Sequence, residues 1–162
     1  MNSVESYNTY ISTFLFVLIA AMNRARPQVM LEVQNTFGNA LYCDIKNKIV
    51  LSDYDLADVA AEMKAMIQEK TPITLSFKKK QEAWSYVKPR FYCDQAPLLS
   101  ALPDDVEIPV YELDGVSAYF VNPLLPHLGY LKEFELIRMG SGILLRYGKR
   151  GHYDRLEPFA RR

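Results

Sequence analysis

Histidine is scarce in this chain: its 162 residues include two, His127 and His152, far apart and with no cysteine beside either. Zinc-type centres are built from several imidazole and thiolate donors brought together, so the sequence offers little material for one. Cysteine is equally rare. Cys43 and Cys93 lie far apart without a C-x-x-C spacing, which fits a reduced, cytoplasmic protein better than a disulfide-stapled secreted scaffold and gives no indication of a bond between the two. Net charge is missing as well, with nineteen basic and nineteen acidic residues. No global field therefore draws in nucleic acid or anionic lipid, and a charged partner must be met by a local patch. The apolar run Phe14 to Met22 is about half the ~20 residues a membrane span needs. Glu5 occupies the region that a signal peptide keeps basic, so a buried core helix is the expected reading and no membrane partner is implied. A phosphate-cradling G-x-x-x-x-G-K-[S/T] is absent. Gly140-Ser-Gly142, with Leu145 where a third glycine would stand, reads as a turn between strands rather than a dinucleotide fingerprint.

What is present is 49% hydrophobic, enough for a single domain over residues 1–162 with one core. Tyr7, Ile11, Phe14, Leu15, Leu18, Ile19 and Met22 recur at helical steps, and Pro27 ends the helix they predict. Val29 to Val33 and Ala40 to Ile45 read as strands around a longer loop at Asn35 to Asn39. Ser52 or Asp53 caps a second helix whose apolar face is Leu56, Val59, Ala60, Met63 and Ile67. Ile73 to Phe77 is then a strand, and Lys80 to Val87 a short helix carrying Trp84. Pro89, Pro97 and Pro103 interrupt the middle of the chain. Ile108 to Leu113 and Val116 to Val121 flank Asp114-Gly115, a tight-turn signal. Gly142 to Tyr147 is a further strand, with Tyr130 to Ile137 a candidate before it. The expected class is α+β, an antiparallel sheet with helices packed across it, and 148–162 has the look of a basic C-terminal tail.

Candidate chemistry is thin. Lys78 to Lys80 is one basic cluster; Arg146, Lys149, Arg150, Arg155, Arg161 and Arg162 form another. With Tyr147 and Tyr153 interleaved, the second set could contact phosphates and stack on bases, although a solvated surface explains it in a neutral chain. Lys78 to Lys80 at a strand end would also discourage edge pairing. Asp104, Asp105 and Glu107 are adequately explained as an acidic loop. Eleven tyrosines and eight phenylalanines fit core packing.

One segment carries more. Pro126, Gly129, Tyr130, Leu131, Phe134, Glu135 and Leu136, followed by Gly142-Ile-Leu-Leu-Arg146, resemble the end of the second additional domain of threonyl-tRNA synthetases, the editing domain that hydrolyses mischarged tRNA. The pattern is closer still to the degenerate copy of that domain in bacterial uridine or nucleoside kinases, where a Pro-Pro-Phe element follows; here Leu156-Glu-Pro-Phe159 stands in that place. Phe14 to Met22, Pro27, Gly38-Asn-Ala-Leu-Tyr-Cys-Asp44, the helix from Ser52 to Glu69 and Thr71-Pro72-Ile73 match in order and spacing, so the resemblance covers almost the whole chain.

The resemblance implies an editing-domain-like fold and, equally, a lost reaction. The synthetases hold a metal with His-x-x-x-His on the first helix and Cys-x-x-x-His before the Pro-x-x-Gly motif. Counting from Pro27 and Gly129 carries these onto Ser12 and Phe16, and onto Phe120 and Leu124. A slip of the alignment along the helix that brings threonines into these places would substitute Thr9 and Thr13. Neither set restores a metal site, so no catalytic or metal residue is assigned. The resemblance further implies a noncatalytic accessory domain of a nucleoside kinase, with ATP and Mg required only if a kinase domain follows in the same polypeptide. The chain's ends fall near the boundaries of that accessory region, leaving open both an excised domain and a free-standing relative. A nucleoside, nucleotide or RNA is the expected partner, with His127, Tyr130, Lys132 and Arg146 as ligand-binding candidates. His127 has the plainer reading of a loop histidine in water. The alternatives are a structural or homodimerising module whose cleft is filled by Phe16, Phe120 and Leu124, and a surviving aminoacyl-tRNA deacylase.

Overall fold

A computed structural model of the protein describes residues 3–36, 38–87, 101–120 and 122–158. Cys93, Pro89, Pro97, Phe159, Arg161 and Arg162 lie outside the described residues, as does the Trp84 side chain.

The apolar run near the N-terminus forms the middle of helix α1 (Ser3–Ala25). Every residue from Phe14 to Met22 is buried, so the helix is enclosed on all sides instead of presenting one stripe. Phe16, Val17, Ala20 and Ala21, outside the expected stripe, are as deeply buried as Phe14 and Leu18, while Ile11 is only partly so. The reason is that neighbours approach from several directions. Helix α2 (Asp53–Gln68) packs along α1, and strands β4 (Glu107–Leu113) and β5 (Val116–Tyr119) also touch it. Leu41, Cys43, Ile143, Leu145 and Tyr147 close the same core from a sheet. At about 1.5–3 kcal/mol for each large apolar side chain removed from water, this cluster is the main source of stability. Cys43 lies buried within it, outside any disulfide.

The strands divide between two antiparallel sheets, where the sequence suggests one. The first has the order β1 (Leu31–Thr36), β2 (Ala40–Ile45), β7 (Gly142–Tyr147), β6 (Phe134–Met139). The second has the order β3 (Thr74–Lys79), β4, β5. Helix α3 (Lys80–Val87) supplies Ala83 to a small second core with Ile108 and Val110. Several expected boundaries move, with β3 running from Thr74 to Lys79 and β5 ending at Tyr119. β1 starts at Leu31 and continues to Thr36 through an irregularity between Val33 and Asn35, so the hairpin loop is shorter than the turn residues suggested. The Tyr130 to Ile137 candidate splits into a 3-10 turn, Leu128–Tyr130, and strand β6. In α2 the buried set is Leu56, Val59, Met63 and Met66; Ala60 and Ile67 are half-buried.

Local signals otherwise act as read. Ser52 caps α2 in a reciprocal box: its hydroxyl accepts from the Asp55 amide, and the Asp55 carboxylate accepts from the Ser52 amide. Asp114 and Gly115 have φ of 50° and 80°, the positive-φ pair of a tight hairpin turn. Arg26 joins the end of α1 to α2 through Asp55 and Asp58, and Arg24 reaches Glu62 and Asp114. Residues 148–158 do not extend into solvent. They fold back so that Tyr153 lies 4.3 Å from Tyr10, ring centre to ring centre, and Arg150 sits over the Tyr7 ring. Among the described residues no helix is long and apolar enough to cross a membrane.

Candidate functional site

The positions where the resemblance expects metal ligands converge where α1 meets the end of β5 and the loop at 122–127. Phe16 and Phe120 are in contact there, their ring centres 5.2 Å apart at 54°, and Tyr111 meets Phe120 edge-on at 6.2 Å. Phe16 has no exposed surface and Phe120 is 8% exposed. Leu124 packs, partly buried, against the same core. One turn away, the Thr13 hydroxyl donates to the Thr9 carbonyl at 2.7 Å and accepts from the Leu125 amide at 3.1 Å, fixing the loop to the helix. Thr9 and Thr13 are both buried, and Ser12 is half-buried.

This donor set does not fit a metal. Phe and Leu offer no lone pair, and the Thr13 oxygen is already engaged on both sides. Among the described residues no group of three or more His, Cys, Asp or Glu side chains is placed to hold a metal ion.

The loop that follows accounts for its own motif. The Ile73 amide donates to the Pro126 carbonyl and the Leu128 amide to the Thr71 carbonyl, pinning the loop to the connection after α2. His127 caps the 3-10 turn, its Nδ1 accepting from the Gly129 amide at 3.0 Å. Its ring stacks on Tyr130 with centres 4.6 Å apart. A Cβ at position 129 would come within 2.8 Å of the Lys70 side chain and 2.9 Å of the His127 ring, so a larger residue there would have to displace one of those side chains. Leu128 and Leu131 enter the core, and Phe134 packs 5.6 Å from Phe14.

The four ligand-binding candidates do not form one site. His127 and Tyr130 are together, with Tyr130 half exposed at 51%. Lys132, exposed, lines a different recess of about 330 Å³ with Lys64 and Glu133, and its backbone amide donates to the Tyr10 hydroxyl. Arg146 is 5% exposed on the sheet face turned away from α1, where its guanidinium donates to the Glu135 carboxylate at 2.6 Å and to the Glu157 carbonyl. It lines a recess with those two residues and Leu156. Tyr147, fully buried, has no surface on which a base could stack. The basic set containing both is therefore not a single exposed patch: Lys149, Arg150 and Arg155 are exposed, while Arg146 and Tyr147 are structural. In the other basic cluster Lys80 pairs with Asp104 of the acidic loop and the Lys79 ammonium donates to the Asp105 carbonyl, while Lys78 pairs with Glu82 of α3.

Sequence reasoning missed how much of the Gly-Tyr-Leu motif is architectural. The available signal was apolar spacing: Leu128, Leu131 and Phe134 recur at three-residue steps.

No family model matches the chain. It is similar to threonine–tRNA ligases of several bacteria. The Carboxydothermus hydrogenoformans enzyme is 25% identical over 125 residues, 77% of this chain and 20% of the ligase. That of Symbiobacterium thermophilum is 25% identical over 137 residues, 85% of this chain and 21% of the ligase. That of Chlamydia trachomatis is 27% identical over 133 residues, 82% of this chain and 20% of the ligase. The chain spans about a fifth of the length of these curated relatives. Over roughly four fifths of its own length, this α+β domain is distantly related to a region of threonine–tRNA ligases.

Proposed function

We propose that the chain is a noncatalytic accessory domain on the synthetase editing framework, its old cleft closed, serving a uridine or nucleoside kinase domain in the same polypeptide. The observation that carries the noncatalytic part is the Phe16–Phe120 contact, which puts two packed rings where hydrolysis would need metal ligands and an activated water. The kinase association rests on the resemblance of the Pro126 to Leu136 motif. ATP and Mg would then be bound by the kinase domain rather than by this one.

The cleft is tested by incubating the purified chain with mischarged threonine-specific tRNA. Hydrolysis at the background rate is expected, and turnover above background abolished by Thr13→Val would overturn the reading. The association is tested by the intact mass of the native polypeptide in its own cells. A mass far above 18.6 kDa, with ATP-dependent phosphorylation of uridine by that polypeptide, supports it. A native mass near 18.6 kDa removes the kinase and leaves a free-standing domain.

A second reading, binding of a nucleoside, nucleotide or RNA, is favoured by one observation: the His127–Tyr130 stack leaves an aromatic face half in solvent. Stacking on such a face contributes about 1–3 kcal/mol per base. Loss of nucleotide binding in a folded Tyr130→Ala variant would support it; unchanged affinity would remove it.

A further inference from the structure

A cavity of about 440 Å³ lies where the open end of the β1–β2 hairpin, the loop leading into α2 and the β6–β7 turn meet. That volume falls within the roughly 300–1,000 Å³ range of small-molecule sites. Its charged lining is Glu32, Asp44, Lys46, Lys48 and Arg138, and its apolar wall is formed by Ile45, Ile49 and Leu51. None of these takes part in the closed cleft between α1 and β5.

The two carboxylates are direct cross-strand partners, Glu32 opposite Asp44. Asp44 is held in orientation, one carboxylate oxygen accepting from the Ser141 hydroxyl at 3.1 Å and from the Ile45 amide at 3.0 Å. That hydroxyl comes from a turn whose geometry needs glycine on both sides. Gly140 has φ of +59°, and a Cβ on Gly142 would meet the Cys43 carbonyl at 2.3 Å. The cationic side is oriented too: Arg138 donates to the Leu51 carbonyl at 3.3 Å and lies 3.9 Å from Asp53. Lys48 sits at φ +58°, a conformation uncommon outside glycine, and its side chain lines the cavity.

Two anions rule against a phosphate dianion, and three cations rule against a simple amine. Both signs together, beside a branched aliphatic wall, complement a molecule carrying ammonium, carboxylate and a short hydrocarbon. We propose that this cavity binds a small aliphatic α-amino acid as its zwitterion, with the ammonium at Glu32 and Asp44, the carboxylate at Arg138 and the lysines, and the side chain against Ile45, Ile49 and Leu51. Asp44 and Arg138, one group on each side, are oriented by bonds already in place, which lowers the entropic cost of binding.

The test is a titration of the isotopically labelled 162-residue chain, followed by amide NMR. The probes are L-leucine, 4-methylpentanoate (no ammonium), 3-methylbutylamine (no carboxylate) and inorganic phosphate. L-leucine should shift the Ser141, Gly142 and Lys46 amides saturably, and each half-molecule should bind at least about tenfold more weakly. Arg138→Gln and Asp44→Asn should each weaken leucine binding by about tenfold while spectral dispersion stays native. If Asp44→Asn fails to fold, Glu32→Gln takes its place, because its carboxylate lines the same cavity. Absence of saturable shifts with leucine overturns the proposal. So does 4-methylpentanoate binding as tightly as leucine, or phosphate binding more tightly.

Discussion

At the residue scale, the side chains at the positions where the resemblance expects metal ligands belong to the core. Phe16 is wholly enclosed and meets Phe120 at 5.2 Å, so it is part of the core. Phe16→Ala should therefore cost about 3–5 kcal/mol, measured by urea unfolding at neutral pH. The Phe16/Phe120 double-mutant cycle should leave a coupling of about 0.5–1.5 kcal/mol. A loss below about 1 kcal/mol for Phe16→Ala would mean the cleft collapses easily and is not rigidly filled. Arg146 makes the complementary case. Its guanidinium joins Glu135 of β6 to the carbonyl of Glu157, so its positive charge serves a structural tie. The Glu135 carboxylate is 48% exposed and is rehydrated when its partner is lost, which keeps the penalty moderate. Arg146→Met should destabilise by about 2 kcal/mol and loosen the segment at 155–158, seen as faster amide exchange there. Equal exchange in the two proteins would show that this tie does not hold the segment.

At the scale of elements, the start of α2 couples stability to pH. The Asp55 carboxyl is held below the ordinary aspartate value, chiefly by the Ser52 amide and next by the Arg26 guanidinium. A carboxyl whose folded value is lowered adds stability that is present above its unfolded value and is lost as the pH falls through the folded one. Ser52→Ala should cost about 1 kcal/mol near neutral pH. Asp55→Asn should flatten the acid side of the stability profile below the ordinary aspartate range. If the wild-type and Asp55→Asn profiles run parallel there, the box carries no pH dependence. This helix was legible in the sequence because Ser52, Asp55 and the apolar spacing are local signals, and the same holds for Asp114-Gly115 and for β7. What could not be read was long-range. Burial of α1 on every side depends on two sheets meeting it, and the division into two sheets is decided by which hairpin each strand joins. Met66 is fully buried in α2 while Ile67 only packs against the core in part. The candidate site shows the same limit: the motif was visible, but the scattering of Lys132 and Arg146 away from His127 and Tyr130 follows from packing.

At the scale of the whole molecule, a tyrosine cluster ties the C-terminal segment to the first helix. Tyr7 donates from its hydroxyl to the carbonyls of Gly38 and Gly148. Tyr153 packs on Tyr10, and Tyr147 lies edge-on to Tyr7 at 6.2 Å and stacks near Phe14. Burial is the leading cause that pushes up the phenols of Tyr7, Tyr10 and Tyr147, and it moves Tyr10 from 10.0 to about 12. A phenol whose folded value is raised contributes stability that is complete below its unfolded value and is lost as the pH rises through the folded one. The fold should therefore hold to about pH 10 and weaken progressively toward pH 12, as tyrosinate formation in the unfolded chain draws the equilibrium. Tyr10→Phe removes one of these groups while keeping the ring against Phe14 and Tyr153. It gives up only the bond from the Lys132 amide, at a neutral-pH cost of about 1 kcal/mol. The decisive readout is the slope of stability against pH in the alkaline range, from urea unfolding at a series of pH values. The slope should be shallower in Tyr10→Phe than in the wild type, whatever their difference at neutral pH. Identical slopes would mean that Tyr10 ionises alike in the folded and unfolded chains, and that the contact with Tyr153 does not keep water from its hydroxyl.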